Sequence, residues 1–167
     1  GIDYYLNNPN KYTTKKNKNS KIECNYVPPC KIELKKGKSK IIVIGDIHGD
    51  LYTLLHALYK ASVINIYGKW IGGDTYVVQL GDQIDRVRPT KLYNNLCSEE
   101  DIDLVKDEGS DLKIISLFEK LHKEAKKKGG ALFSIFGNHE LMNVDGDFRY
   151  VSPKEFYEFG NFFNGRY

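Results

Sequence analysis

Three short apolar segments of this chain each end in a glycine that is followed by side chains able to bind metal ions. The motifs are GDIHGD at 45–50, GDQIDR at 81–86 and GNHE at 137–140. The segments before them, at 41–44, 75–80 and 131–136, are typical of strands in a mostly parallel sheet, the first of them buried. Because the carboxyl ends of parallel strands share one edge, we expect the three loops to meet in one crevice.

The segments between these strands predict helices. Asp50 is a typical capping residue, and the apolar spacing after it predicts a helix from Leu51 to about Ser62. Residues 63–74 indicate a small hairpin or loop, and the polar residues 87–111 a surface insertion. A second helix is expected from Ser110 or Asp111 up to the glycines at 129–130. Strands alternating with helices predict a layered α/β fold.

The first 40 residues differ from the rest in charge. They hold ten lysines against Asp3, Glu23 and Glu33, and prolines interrupt them, so we expect a loosely ordered arm. Nucleic-acid contact through these lysines is the alternative to a solvated tail. The three cysteines are too few and too irregularly spaced for a disulfide framework, which favours a reducing, cytoplasmic location. No apolar run is long enough to predict a membrane anchor.

The residue types in the three motifs indicate a metal site. Asp46 and His48 stand two apart in an extended loop, so both can hold one ion, and Asp82 can complete that site. A second carboxylate oxygen of Asp82 could bridge to another ion, held further by the amide oxygen of Asn138. Two such ions would lie about 3.5–4 Å apart. Mixed oxygen and nitrogen ligands favour manganese, iron or zinc.

Other candidate ligands are assigned ordinary structural roles. His56 and His122 lie within helical segments and not after strands, so we expect half-buried histidines on helix faces. Asp50 directly precedes Leu51, which makes helix capping its expected role and leaves it out of the site.

The three motifs together resemble the calcineurin-like metallophosphoesterases, most closely their phosphoprotein phosphatase branch. Residues 70–86, WIGGDTYVVQLGDQIDR, are similar to the Shewanella-like phosphatases, and residues 137–152 to predicted phosphoesterases of large DNA viruses and protists. The resemblance covers residues 41–152. It implies a sandwich of two sheets flanked by helices and a hydrolytic site with two metal ions.

The resemblance also implies a role for each matching residue. The first ion would be held by Asp46, His48 and Asp82, and the second by Asp82 and Asn138. His139 would be the general acid with Asp85 as its partner, and Arg86, together with Asn138, would bind the substrate phosphate. These residue types suit phosphoester hydrolysis, because an imidazole can exchange a proton near neutral pH and a guanidinium group matches two phosphate oxygens.

The family supplies two more histidines to the second ion from far downstream of GNHE, whereas this chain has no histidine after His139. Its only methionine is Met142, so it starts without an initiator. We therefore expect residues 41–167 to be the N-terminal part of a metallophosphoesterase domain, with weak or no turnover on their own.

The function expected from the sequence is metal-dependent hydrolysis of phosphomonoesters, on a phosphorylated protein or a small phosphoester. Hydrolysis of a nucleotide polyphosphate or phosphodiester is one alternative, because the same ion pair serves several phosphate esters. The other is a non-catalytic binding fragment whose lysine arm holds nucleic acid.

Overall fold

A computed structural model of the chain describes residues 40–87 and 107–163. Their elements in chain order are β1 (Ile41–Ile44), α1 (Leu51–Lys60), β2 (Tyr76–Gln79), α2 (Asp111–Lys126), β3 (Ala131–Ser134), α3 (Asn138–Val144) and α4 (Pro153–Phe163). The lysine-rich arm predicted over 1–40 lies outside the described residues except for Lys40, and so does most of the predicted acidic insertion.

The three strands form one parallel sheet in the order β1-β2-β3, which confirms the predicted α/β class. Ile42 pairs with Val77, and Val77 with Leu132. Strands β2 and β3 are shorter than predicted, ending at Gln79 and Ser134. Each of these two strands is followed by one more backbone hydrogen bond before the chain leaves the sheet. The N–H of Leu80 donates to the carbonyl of Ile44 at 2.9 Å, and the N–H of Ile135 donates to the carbonyl of Gln79 at 3.1 Å.

Helices α1 and α2 cover one face of the sheet. Leu54, Leu55 and Leu58 of α1 pack with apolar residues of α2 and of β2 and β3 in the buried core. On the opposite face, Ile41 is 51% and Val43 is 59% exposed. The prediction that the first strand is buried was therefore wrong for this face, because the helices that follow the strands lie on the other side. The second sheet of the predicted sandwich is not among the described residues.

The predicted helix starts are confirmed by their hydrogen bonds and positions. An oxygen of Asp50 accepts the backbone N–H of Thr53 at 2.8 Å, as a helix cap does. Helix α2 begins at Asp111, and the turn at 63–74 holds a single antiparallel bridge between Ile64 and Trp70. Helices α3 and α4 were not predicted. None of the helices in the described part of the chain has the length and apolar character needed to span a bilayer.

Candidate functional site

The loops after β1 and β2 are joined by backbone hydrogen bonds. The N–H groups of Ile47 and His48 both donate to the carbonyl of Asp82 at 2.9 Å, and that of Gly49 donates to Gln83 at 2.9 Å. Two of the predicted ligand residues, 34 positions apart, are therefore neighbours in space. The convergence predicted from the ends of the parallel strands holds for these loops.

Two glycines allow the loop after β3 to join the other loops. A Cβ atom on Gly81 would lie 2.1 Å from the backbone nitrogen of Gly137, and one on Gly137 would lie 2.2 Å from Oδ1 of Asp82. Both distances are far shorter than any real carbon contact, so the loops approach this closely only because neither residue has a side chain.

The backbone is strained at the residues predicted to act. Within residues 40–87 and 107–163, only four non-glycine residues have positive φ, and three of them are His48 at 48°, Asp82 at 53° and Asp85 at 68°. This left-handed conformation is uncommon for residues with a Cβ atom, and such strain clusters at active sites and ligand-binding positions. The strain and the polar side chains therefore coincide at one place.

One cluster among the described residues has its ligand atoms close enough for a metal ion. His48, Asp82 and His139 each offer an atom within 4.8 Å of the other two. Nε2 of His48 lies 3.7 Å from Oδ2 of Asp46 and 4.0 Å from Oδ2 of Asp82. Nδ1 of His48 is 3.2 Å from the carbonyl of Ile84, which can accept a proton from it, and Nε2 is the nitrogen that faces the carboxylates.

His139 is held tightly at the start of α3. Its Nδ1 lies 2.9 Å from Oδ2 of Asp85, which is 1% exposed, and its backbone N–H donates to Oδ1 of Asp82 at 2.9 Å. The imidazole also packs against the rings of His48 and Tyr150, with centroid distances of 4.7 Å to each. The predicted acid and its predicted partner are therefore neighbours, and His139 also lies beside the two candidate ligands.

Asn138 and Arg86 are placed differently. Asn138 is exposed as the first residue of α3. Nη1 of Arg86 lies 3.5 Å from the carbonyl of His48 and 3.5 Å from Oδ2 of Asp50. Asp50 therefore uses one oxygen for the helix cap and the other for Arg86, whereas the sequence predicted only the cap. The metal and phosphate roles of Asn138 and Arg86 stay predictions.

The two histidines excluded from the site contact backbone carbonyls elsewhere. Nδ1 of His56 lies 3.3 Å from the carbonyl of Tyr52, and Nδ1 of His122 lies 2.7 Å from that of Leu132. Neither belongs to the group of candidate metal ligands found in the described part of the chain.

Sequence reasoning missed Glu140, which binds two of the loops to each other. Its carboxylate accepts backbone N–H groups from Asp82 at 2.8 Å, Gln83 at 2.7 Å and Gly137 at 2.7 Å. The available signal was its place at the third position of a helix that starts after glycine, where a carboxylate can accept the free N–H groups of the first turn.

A group of buried acids, which we call the acidic cluster, lies behind the loops: Asp107, Asp111, Glu155 and Glu158. Asp111 is fully buried, and a Cβ atom on Gly49 would lie 2.8 Å from its Oδ1. Burial, followed by the hydrogen bond and charge of Glu155, raises the pKa of Asp111 to about 11. When ionised, neither oxygen of Asp111 has a donor among the described residues, whereas a proton on Asp111 can be donated to Glu155.

Replacing Asp111 with asparagine is expected to weaken the pH dependence of stability. The folded pKa lies above the ordinary value of 3.8, so the folded protein keeps a proton that the unfolded chain releases. The free energy of unfolding then falls as pH rises from about 4 to about 11, at a limit of about 1.4 kcal/mol per pH unit for one proton. Asparagine keeps a neutral donor and removes that proton exchange.

Urea unfolding of the native protein at several pH values measures this effect. The slope of unfolding free energy against pH should be shallower for Asp111→Asn than for the unmodified protein. Asp74→Asn, at an exposed position, should leave the slope unchanged. An unchanged slope in Asp111→Asn would contradict a proton held at this position.

The family model described as calcineurin-like phosphoesterase matches residues 39–167. Shewanella-like protein phosphatase 2 of Arabidopsis thaliana is 39% identical over 120 residues, covering 72% of this chain and 25% of that protein. Shewanella-like protein phosphatase 1 of Plasmodium berghei is 38% identical over 121 residues, covering 72% and 27%.

A solved structure of a cold-active protein tyrosine phosphatase superposes with a TM-score of 0.52 and 25% sequence identity, over 70% of this chain and 30% of that one. The chain spans about a quarter of the length of the curated relatives it matches. Because the family model matches more than three quarters of its residues, the chain belongs to the calcineurin-like phosphoesterase family.

Proposed function

We propose that this member of the calcineurin-like phosphoesterase family carries part of the active site of a metal-dependent protein phosphatase. The observation that supports it most is the meeting of His48, Asp82 and His139, from three distant loops, with their ligand atoms within 4.8 Å of one another. The names of the relatives support the substrate class, since two are called protein phosphatases and one solved structure is called a protein tyrosine phosphatase. The substrates would be phosphoserine, phosphothreonine or phosphotyrosine proteins.

The carboxylate, imidazole and amide groups at this place support a pair of divalent ions of the manganese, iron or zinc type as the proposed cofactors. Asp46, His48 and Asp82 would hold one ion, and Asp82 with Asn138 would hold the other. The bond from Nδ1 of His48 to a backbone carbonyl supports this, because it is the orientation that metal-binding histidines usually receive. When bound, such ions neutralise phosphoryl oxygens and lower the pKa of a bound water.

The remaining roles fall to His139, Asp85 and Arg86. His139 has its Nδ1 bonded to Asp85 at 2.9 Å, so Nε2 is the nitrogen that can give a proton to the departing alkoxide. The carboxylate of Asp85 accepts the proton on Nδ1 and so fixes the orientation of the imidazole ring. Arg86 offers a planar donor pair for two phosphate oxygens, and would exchange its contact with Asp50 for the substrate.

Metal content and hydrolysis in single variants test the proposal. When it is introduced into the whole native protein, Asp46→Asn should remove both the bound metal and the activity. His139→Ala should keep its metal and lose about 100-fold or more in rate, the usual contribution of a general acid. Elemental analysis and initial rates on an aryl phosphate and a phosphopeptide measure the two effects.

His56→Ala, on α1 and outside the cluster, is the matched histidine control and should change neither quantity. Loss of metal in His139→Ala would make His139 a ligand and not the acid. Absence of metal-dependent hydrolysis in the unmodified native protein, or turnover of a dinucleotide in place of the phosphopeptide, would contradict the proposed function.

A further inference from the structure

Asn143 binds the aspartate that partners His139. It lies on α3 one turn after His139, and its side-chain Nδ2 lies 2.9 Å from Oδ1 and 2.8 Å from Oδ2 of Asp85. The same nitrogen lies 3.0 Å from the backbone carbonyl of His139. The two protons of one amide group can therefore serve Asp85 and the backbone of His139 together.

This arrangement fixes the direction of the Asp85 carboxylate. Asp85 is buried and has a left-handed backbone with φ of 68°, while its N–H donates to Glu155 at 2.8 Å. Its backbone is thus held by Glu155, and its carboxylate by Asn143 and His139. Because His139 and Asn143 stand four residues apart on one helix, their side chains lie on the same face and reach the same carboxylate.

We propose that Asn143 is a positioning residue: it orients Asp85 so that the carboxylate meets Nδ1 of His139, and thereby aims Nε2 at the leaving group. The inference rests on the proposed function for its effect on the rate, but its structural half concerns only the bond between Asp85 and His139. A misdirected acid delivers its proton poorly, and misplacement by about 1 Å can cost up to about 100-fold in rate.

The rate test compares substrates with different leaving groups in the native protein. Asn143→Ala should lower kcat about 10-fold or more on an alkyl phosphate, whose alkoxide needs a proton, and much less on an aryl phosphate with a good leaving group. KM and metal content should stay unchanged. Asp85→Ala should lower the rate in the same pattern, and combining the two should give far less than the product of the single losses, because they act on one contact.

Asn143→Asp separates positioning from simple packing. It has nearly the same shape as asparagine, but it replaces the donor with an acceptor and sets a second carboxylate against Asp85. It should therefore lose at least as much rate as the alanine variant. Asn161→Ala, on α4, is the asparagine control and should leave the rate unchanged.

A second measurement remains informative if no hydrolysis is found. The proton of His139 shared with Asp85 should give a downfield imidazole signal in the NMR spectrum of the native protein, and Asn143→Ala should shift or broaden that signal while Asn161→Ala leaves it in place. An unmoved signal would overturn the positioning role even in an inactive protein. An equal rate loss on both substrates, or fully additive losses with Asp85→Ala, would overturn it in an active one.

Discussion

Asp82→Asn is expected to remove bound metal and hydrolytic activity together. The Asp82 carboxylate lies where the three loops meet: its Oδ2 lies 4.0 Å from Nε2 of His48, and its Oδ1 accepts the N–H of His139 at 2.9 Å. The proposed function places this carboxylate on both ions. Removing its charge should lower metal affinity and the hydrolysis rate by more than about 100-fold, since even outer contacts of metal ligands contribute 10- to 100-fold.

Asparagine is the replacement that isolates the charge. Asp82 has φ of 53°, and asparagine tolerates this left-handed conformation better than most residues. Its amide oxygen can still accept the N–H of His139, so the variant should fold. Asp145→Asn, at the exposed end of α3, is the matched control. Elemental analysis after dialysis and initial rates give the two readouts, and a variant that keeps its full metal content would contradict the role of Asp82.

The sequence predicted the outline of the site because one topological rule suffices for it. Parallel strands place their carboxyl ends at one edge, so residues that follow β1, β2 and β3 had to approach one another. The nearness of Asp46, His48 and Asp82, and of His139 to Asp85, agrees with this rule. The rule depends only on where each strand ends. An apolar segment followed by a glycine predicts that position well.

The parts that were missed depend on contacts between side chains and distant backbone. Glu140 binds N–H groups 57 and 58 positions away, and no local pattern shows such a partner. Helix α3 is only seven residues long, too short for an apolar period to be seen, so the alignment of Asn143 with His139 was hidden. The sequence predicted only helix capping for Asp50, because the neighbouring residues indicate no other partner. Its second oxygen contacts Arg86, which lies on another loop.

The error on β1 has a different origin. An apolar run cannot tell whether one or both faces of a strand will be covered, and Ile41 and Val43 lie on the face that the described helices leave open. The same ambiguity does not affect the site, because the loops follow the strand ends whichever face is covered.

Glu140→Ala should be the most destabilising of the substitutions considered, because it leaves three N–H groups, two of them from buried residues, without their acceptor. The groups belong to Asp82, Gln83 and Gly137, and each unsatisfied buried donor costs about 1–3 kcal/mol. A total near 4 kcal/mol corresponds to a melting temperature lower by roughly 10 °C for a protein of this size. Because the carboxylate also holds the strained backbone of Asp82, metal affinity should fall with stability.

Glu140→Gln should cause a smaller loss of stability than Glu140→Ala, and so tests whether the hydrogen bonds of the carboxylate are responsible for that loss. Oε2 accepts two of the N–H groups and Oε1 accepts only that of Gln83, so glutamine can keep two bonds but must set its NH₂ against the third donor. Its stability should fall between those of the unmodified protein and the alanine variant.

The control is Glu119→Ala, which removes an exposed glutamate that pairs with Lys123 at 3.4 Å and should cost less than about 1 kcal/mol. Thermal unfolding of the native protein measures all three, and a Glu140→Ala melting temperature as close to the unmodified value as that of Glu119→Ala would show that the loops are joined by other contacts.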